Sequence, residues 1–274
     1  MWAGGASHTA IRTAPDWSID FQFGCEDSET GLFRTQHVDG IMGMSAAEDT
    51  LPHQLVAQKV TETRVFALCF GLGGGIMTLG GVDEALHRPG EPLKFAKLIK
   101  SKGWFTVNLL DVYLRPSGSE AADATAGVSL GASTETLNGQ NSKGVIVDSG
   151  TTDTYLPQAV KKAFEDAFRK MTNGVAYTNN NIALKKAQYD ALPIVVFKLE
   201  GADGGTVEIE CPPSSYAESL GGGKYAFRIY LTEASGAVLG ANFMNDMNVV
   251  FDIDARRVGF VKASCTYDEG SGKK

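Results

Sequence analysis

Residues 143–157 read KGVIVDSGTTDTYLP, and the interpretation of the whole chain turns on this stretch. A short run of β-branched apolar residues, typical of a buried strand, ends at Asp148, and a serine, a glycine and two threonines follow. The pattern therefore predicts a carboxylate at the exposed end of a strand. Taken alone, Asp-Ser-Gly is more typical of an ordinary turn, so a functional interpretation needs support from the rest of the sequence.

The composition is that of a globular protein with a substantial core. The chain has 274 residues, 43% of them hydrophobic, and a net charge of −7 at pH 7. This length fits one large domain or two medium ones. The acidic balance gives no electrostatic basis for binding nucleic acid or an anionic membrane, and no apolar stretch is long enough to span a bilayer. We expect neither a nucleic-acid partner nor a membrane segment.

Short apolar runs rich in Val, Ile, Phe and Thr recur along the chain, which predicts an all-β fold with minor helix. Two helices are predicted. A short one covers 50–59, with Thr50 as its N-cap, and a longer amphipathic one covers 157–171. Residues 115–144 are small and polar, and they predict hairpin strands with an extended insertion.

The glycine-rich stretch FGLGGGIM at 70–77 has two interpretations, a nucleotide-binding loop and a tight hairpin turn. Rossmann spacing requires a glycine where Ile76 stands, and a strand pattern rather than a helix pattern follows. We therefore predict a hairpin that joins strands at 63–70 and 75–81.

The histidines and cysteines show no metal-ligand spacing, so we predict no metal site. The four cysteines lie far apart in the sequence, and their positions alone leave two possibilities open, buried thiols or two disulfides. They are Cys25, Cys69, Cys211 and Cys265. The choice bears on the compartment, because disulfides persist in oxidising environments.

The first residues, MWAGGASHTAIRTAPDW, lack the basic and apolar regions of a secretory signal peptide. Two expectations are compatible with this observation. The protein is intracellular, or the sequence does not begin at the true start of its gene product.

Taken together, several stretches resemble the pepsin-like aspartic proteases over about residues 18–265. VIVDSGTTDTYLP is similar to the strand and loop that carry the second catalytic aspartate of that family, and the run from 237 to 265, AVLGANFMNDMNVVFDIDARRVGFVKASC, resembles its C-terminal end. FQFGC, VFALCF, GGIMTLGG and GWFTVNLLDVYL resemble the later part of its N-terminal lobe and its inter-lobe sheet. The resemblance implies a bilobal fold with an incomplete N-terminal lobe, divided into residues 1–99 and 100–274.

The resemblance also implies roles for individual residues. Asp148 is the catalytic carboxylate, and the Thr151 hydroxyl bonds its outer oxygen. Gly150 lets the substrate backbone approach, and Thr152 contacts substrate. The remaining residues support the loop: Ser149 by bonding to a counterpart in the other lobe, and Leu239 and Gly240 from behind. Cys25 is expected to pair with Cys69, and Cys211 with Cys265.

One half of the expected catalytic pair does not occur in the sequence. Each lobe of the family carries an Asp-[Thr/Ser]-Gly loop and an apolar-apolar-Gly strand. This chain has two such strand patterns, at 41–43 and 238–240, but one such loop. The other Asp-Ser pair, Asp27 and Ser28, is followed by glutamate. A single aspartate lacks the partner that would share its proton, so we expect the chain by itself to be inactive.

The leading hypothesis is thus an N-terminally incomplete aspartic endopeptidase. It acts on peptide or protein substrates, is monomeric, needs no cofactor and has a secretory, vacuolar or lysosomal location. The alternative is a non-catalytic protein of the same fold that binds or inhibits other proteins. A third hypothesis, a dimer in which each chain donates Asp148, is disfavoured because the residual N-terminal lobe would obstruct the symmetry.

Overall fold

The computed structural model describes residues 18–25, 28, 34–35, 38, 40–71, 74–99, 103–118, 127–139 and 144–266. Strands far outnumber helices within these ranges, and all but two of the strand pairings are antiparallel. The predicted all-β class with minor helix is confirmed. The division of the chain at residue 99 into two lobes stays a prediction.

One five-stranded sheet joins early and late parts of the chain. Its order is β2–β1–β16–β17–β3, and every pairing is antiparallel. The strands are β1 (Val65–Gly71), β2 (Gly74–Leu79), β3 (Lys94–Lys97), β16 (Met247–Asp252) and β17 (Arg257–Lys262). The predicted hairpin between β1 and β2 is confirmed, with residues 72–73 of its turn outside the described ranges.

A second five-stranded sheet positions the aspartate of the opening stretch. Its order is β14–β8–β15–β7–β4. The strands are β4 (Thr106–Val107), β7 (Val145–Val147), β8 (Thr154–Pro157), β14 (Ile229–Glu233) and β15 (Ala237–Leu239). β15 inserts between β7 and β8, parallel to the first and antiparallel to the second. The loop from β7 to β8 must therefore pass over the end of β15.

The remaining strands form two smaller sheets. The four-stranded sheet has the order β11–β10–β5–β6 and contains β5 (Leu109–Arg115), β6 (Val128–Ser129), β10 (Ile194–Glu200) and β11 (Thr206–Cys211). The three-stranded sheet has the order β12–β13–β9 and contains β9 (Ile182–Ala183), β12 (Ala217–Gly221) and β13 (Lys224–Phe227). Buried side chains from all four sheets belong to one contiguous hydrophobic core.

The helices are short, and most lie between strands. They are α1 (Leu51–Ala57), α2 (Thr134–Asn138), α3 (Lys161–Met171), α4 (Lys186–Asp190) and α5 (Pro213–Tyr216). The segment 115–144, predicted as hairpin strands with an extended insertion, contains the short strand β6 and also the helix α2, which was not predicted, with residues 119–126 and 140–143 outside the described ranges. None of the helices that the structure describes combines the length and apolarity needed to cross a bilayer.

The two predicted helices are present, with different beginnings. The longer one opens with a 3₁₀ turn, Gln158–Val160, because Pro157 still pairs within β8. Its predicted apolar face is buried at Phe164, whose ring meets Tyr177 with 4.8 Å between centroids. In α1, Thr50 occupies the N-cap position, but its hydroxyl donates to carbonyls of the preceding loop and caps no helix amide.

The disulfide pairing implied by the resemblance is wrong. Cys69 bonds to Cys265, whereas Cys25 is an exposed free thiol and Cys211 a buried one. Sheet order is the physical reason. β16 pairs with β1 through Asn248 and Cys69, and with β17 on its other side, so the residues that follow β17 come back to β1. Cys211 ends β11 in a different sheet, and burial raises the pKa of its thiol to about 12.

Candidate active site

Asp148 is the first residue after β7, and the backbone of β15 fixes its position. Its amide donates to the carbonyl of Leu239 at 3.0 Å, which continues the parallel pairing of Val147 with Leu239. The Thr151 amide donates to the Asp148 carbonyl at 3.3 Å and closes the turn. The strand end thus presents the carboxylate from a backbone that is held on both sides.

Both carboxylate oxygens of Asp148 accept a hydrogen bond from the same loop. The Gly150 amide donates to Oδ1 at 2.9 Å, and the Thr151 hydroxyl donates to Oδ2 at 2.7 Å. An ionised carboxylate is a pure acceptor, so these two donors orient its plane. The Thr151 contact is the one that the family resemblance implies.

The other residues predicted for this loop lie at its surface. Ser149 and Gly150 are exposed beside Asp148, and Thr152 is exposed one residue after the hydroxyl donor. A Cβ placed on Gly150 would lie 3.2 Å from Asp148 Oδ1, so a glycine keeps that side of the carboxylate open. The roles of Ser149 and Thr152 stay predictions.

Gly240 supports the loop from behind, where the backbones approach closely. A Cβ at this position would lie 2.2 Å from the carbonyl oxygen of Asp153 and 2.7 Å from that of Thr151. Because the backbones lie this close, the amides of the next two residues bond to the loop. Ala241 donates to the Thr151 carbonyl at 2.7 Å, and Asn242 donates to the Thr152 carbonyl at 3.0 Å. The apolar-apolar-Gly pattern therefore needs its glycine for contact and not for an unusual backbone angle.

Asn242 is a functional candidate that the sequence did not single out. Its side chain is buried, accepts the Thr154 hydroxyl at 2.8 Å and donates to the carbonyls of Ser215 and Arg228 at 3.3 and 3.1 Å. These bonds tie the exit of the Asp148 loop to α5 and to the start of β14. No sequence signal could have found this residue, because its partners come from distant segments.

The carboxylate borders a cavity of about 200 Å³ whose floor is aromatic. Phe66 and Phe251 stack with 4.6 Å between ring centroids, and Phe105 lies 4.7 Å from Phe251. The rest of the lining is Gly43, Met44, Ser45, Gly103, Trp104, Val147, Asp148 and Ser149. Asp148 is the one carboxylate among these described lining residues.

A second acid in the loop, Asp153, is not among the residues that line this cavity. Burial raises the pKa of its carboxyl above the usual range, although Arg228, 4.0 Å away, opposes the shift, while Glu218 adds to it. Arg228 in turn pairs closely with Glu218. Asp153 therefore belongs to an ion-pair cluster with Arg228 and Glu218, next to the starts of β8 and β14 and on β12, and not to the cavity that Asp148 borders.

The other apolar-apolar-Gly pattern, residues 41–43, does not form a strand. Ile41 is 47% exposed, and of the three residues only Gly43 lines the cavity. In the C-terminal half, the matching pattern is a strand because β7 and β8 pair with it on both sides. Nothing in the described part of the chain pairs with 41–43 in that way.

The described residues contain no group of three or more His, Cys, Asp or Glu placed to hold a metal ion. The site thus offers one oriented carboxylate, hydrogen-bond donors from its own loop and an apolar cavity beside it. A mainly antiparallel fold in which one strand threads behind an aspartate-bearing loop defines a protein of the pepsin-like class.

Comparison with known proteins agrees. The family model for eukaryotic aspartyl proteases matches residues 16–263, and the chain belongs to this family. It is 27% identical to Aspartic proteinase 36 of Arabidopsis thaliana, over 96% of this chain and 53% of that protein. It is 26% identical to Pepsin B of Canis lupus familiaris, over 88% of this chain and 59% of that protein. The chain spans about half the length of the curated relatives it matches.

Proposed function

We propose that this chain carries one half of a two-carboxylate peptidase site and that Asp148 is its catalytic residue. The observation that carries the proposal is the placement of Asp148, whose two oxygens are held by Gly150 and Thr151 at the edge of an apolar cavity. The second carboxylate would come from a segment outside the printed sequence. The complete protein would then be an aspartic-type endopeptidase that cleaves peptide bonds in a cleft between two lobes.

The chemistry requires both carboxylates. Two such groups in contact cannot both ionise cheaply, so they share one proton. The ionised member takes a proton from a bound water as that water attacks the peptide carbonyl, and the protonated member later donates its proton to the leaving amine. Asp148 alone can perform one of these roles at a time. For this reason we propose that the 274-residue chain by itself does not cleave peptides.

The compartment and the assembly follow from the same proposal. A Cys69–Cys265 disulfide favours an oxidising environment such as the secretory pathway, a vacuole or a lysosome. The complete enzyme would act as a monomer, because its second lobe replaces the partner that a symmetric dimer would supply. It would need no cofactor, since the two carboxylates and a water supply all the protons that are transferred.

A non-catalytic role is the second candidate, and one observation favours it. Asp148 stands without another carboxylate in the described lining of the cavity. A protein that kept the fold but not the pair could bind peptides or inhibit an enzyme without cleaving them. The DNA upstream of Met1 separates the two candidates. An in-frame Asp-[Thr/Ser]-Gly supports the peptidase, and an early in-frame stop codon supports the binding protein.

The catalytic test uses the protein extended by that upstream reading frame. With a quenched fluorescent peptide at acidic pH, we expect Asp148→Asn to lower kcat/KM by about 10²–10⁴-fold, the usual contribution of an acid–base group. The matched control is Asp166→Asn, which removes an exposed carboxylate that pairs with Lys162 on α3. It should leave the rate unchanged. Undiminished activity in Asp148→Asn would refute the assignment of Asp148.

A further inference from the structure

His53, the third residue of α1, lies between two hydrogen-bonding side chains. Its Nε2 is 3.1 Å from Nη1 of Arg64, and its Nδ1 is 3.4 Å from Oγ1 of Thr50. The Thr50 hydroxyl already donates to the carbonyls of Ser45 and Ala47, at 3.0 and 2.7 Å. The imidazole therefore meets a donor at one nitrogen and an acceptor at the other.

These contacts fit one protonation state. A guanidinium has donors but no acceptor, so Nε2 must accept from Arg64, and Nδ1 must carry the proton that it donates to Thr50. A neutral imidazole protonated at Nδ1 satisfies both contacts. An imidazolium is a donor at both nitrogens, so it would set an N–H and a positive charge against those of Arg64.

Arg64 cannot easily turn away, because Asp254 holds it. The Arg64 side chain donates through Nε to Asp254 Oδ1 at 2.6 Å, and its amide donates to Oδ2 at 2.8 Å. Asp254 lies in the turn between β16 and β17. Through Arg64, His53 thus connects α1 to the β2–β1–β16–β17–β3 sheet.

Five features of the surroundings set the proton affinity of His53. Burial lowers its pKa most, and the neighbouring Arg64 lowers it further. Glu48 and Asp49, from the loop before α1, and Asp254, from the β16–β17 turn, act in the opposite direction. The net pKa lies below the ordinary value, in agreement with the neutral state that the hydrogen bonds require.

The same contacts reach the cavity beside Asp148. Thr50, which accepts from His53, donates to the carbonyl of Ser45, and Ser45 and Met44 line the cavity. One residue further, the Ala46 amide donates to the carbonyl of Gly103, another lining residue. The segment 44–57 therefore contains one wall of the cavity, formed by Met44 and Ser45, and the helix α1 that holds this wall in place. We call this segment the wall 44–57.

We propose that neutral His53 is a pH-sensitive latch that fastens the wall 44–57 to the sheet, and that its protonation releases this wall in acid. Since the pKa of His53 is lower in the fold than in the unfolded chain, the folded state binds fewer protons between those two values. The contribution of the latch is complete above the unfolded pKa, about 6.5. It is lost as the pH falls through the folded pKa.

Amide exchange followed by mass spectrometry tests the latch on the 274-residue chain, with no need for peptidase activity. After correction for intrinsic rates, exchange over 51–57 should be several-fold faster at about pH 5 than at about pH 7.5 in the wild-type chain. In His53→Gln, which cannot be protonated in this range, that pH dependence should disappear. The control, His87→Gln, removes a histidine that contacts Asn248 at the other end of the sheet, and it should keep the wild-type behaviour.

An NMR titration of the histidine rings provides a measurement that needs no folded His53 variant. His53 should titrate below about 6.5 in the wild-type chain, and its midpoint should move to higher pH in Arg64→Gln. A His53 midpoint at or above the ordinary value would overturn the proposal. So would an acid-induced loss of protection over 51–57 that is equally large in His53→Gln. Neither result depends on whether Asp148 is catalytic.

Discussion

At the scale of the residue, the Asp148 loop is organised by short-range hydrogen bonds and by one close approach of two backbones. The carboxylate takes one hydrogen bond at each oxygen from Gly150 and Thr151, and both donors lie within three residues of it. The loop can make these bonds because Gly240 lets β15 lie directly against its backbone. Orientation of the acid is thus a property of a very short stretch of chain and one glycine from a distant strand.

Gly240→Ala should destabilise the protein by about 1–3 kcal/mol, the usual cost of forcing an extra carbon into a packed site. The added Cβ meets backbone carbonyls of the loop, which cannot turn aside as a flexible side chain would. Urea denaturation measures the free energy of unfolding. The matched control is Gly81→Ala, where a Cβ would meet no atom within 4 Å, and it should change that free energy by less than about 0.5 kcal/mol. Equal effects of the two substitutions would contradict this account of Gly240.

At the scale of the element, the insertion of β15 between β7 and β8 holds the Asp148 loop in place. A loop between two adjacent paired strands would be an ordinary hairpin. Here it crosses the end of β15 and receives amides from the 3₁₀ turn Ala241–Met244 that follows. The strand predicted at 41–43 lacks this arrangement. It has the same sequence pattern but no flanking strands among the described residues, and it does not form a strand.

Asn242→Ala should lower the free energy of unfolding by about 1–3 kcal/mol, because it leaves the buried hydroxyl of Thr154 and the carbonyl of Ser215 without a partner. The loss should also increase amide exchange over the loop 148–153. Urea denaturation and exchange mass spectrometry measure the two effects. Asn180→Ala, at an exposed asparagine, serves as the control and should alter neither. Unchanged exchange over 148–153 in Asn242→Ala would show that this residue does not hold the loop.

At the scale of the whole molecule, the β2–β1–β16–β17–β3 sheet holds the early and late parts of the chain together. Its central strands come from residues 65–71 and 247–262, and the Cys69–Cys265 bond closes a separation of 196 residues. The His53–Arg64–Asp254 contacts fasten α1 to the same sheet. One sheet thus carries both a covalent link and the proposed pH-sensitive contact.

Replacing both Cys69 and Cys265 by alanine should cost about 2–5 kcal/mol of unfolding free energy, since the bond restricts a very long loop of the unfolded chain. Cys25→Ser, at an exposed thiol, is the control and should have little effect. Thiol titration of the unreduced, unfolded protein should find two free thiols, and peptide mapping should join Cys69 to Cys265. A count of four or of none would contradict the pairing.

The sequence by itself determined the all-β class, the hairpin at 65–79 and the helix ending at Met171, whereas the Thr151 contact with Asp148 was implied by the family resemblance. These features depend on residues close together in the chain, where apolar periodicity and short-range hydrogen bonds act. The family resemblance did not give the disulfide pairing correctly, because which cysteines meet depends on the order of strands in a sheet. The role of Asn242 also could not be predicted from the sequence, because its side chain joins segments up to 88 residues apart.

Only the tertiary structure decided that the cavity beside Asp148 has an aromatic floor and one carboxylate among its described lining residues, and that His53 connects one of its walls to the β2–β1–β16–β17–β3 sheet. Arg64 and Asp254, which complete that connection, are 190 residues apart. A local pattern fixes which face of an element is apolar and where a chain turns. Which elements become neighbours is decided by the packing of the whole molecule. The cavity lining and the His53 contacts depend on those neighbours, so only the tertiary structure reveals them.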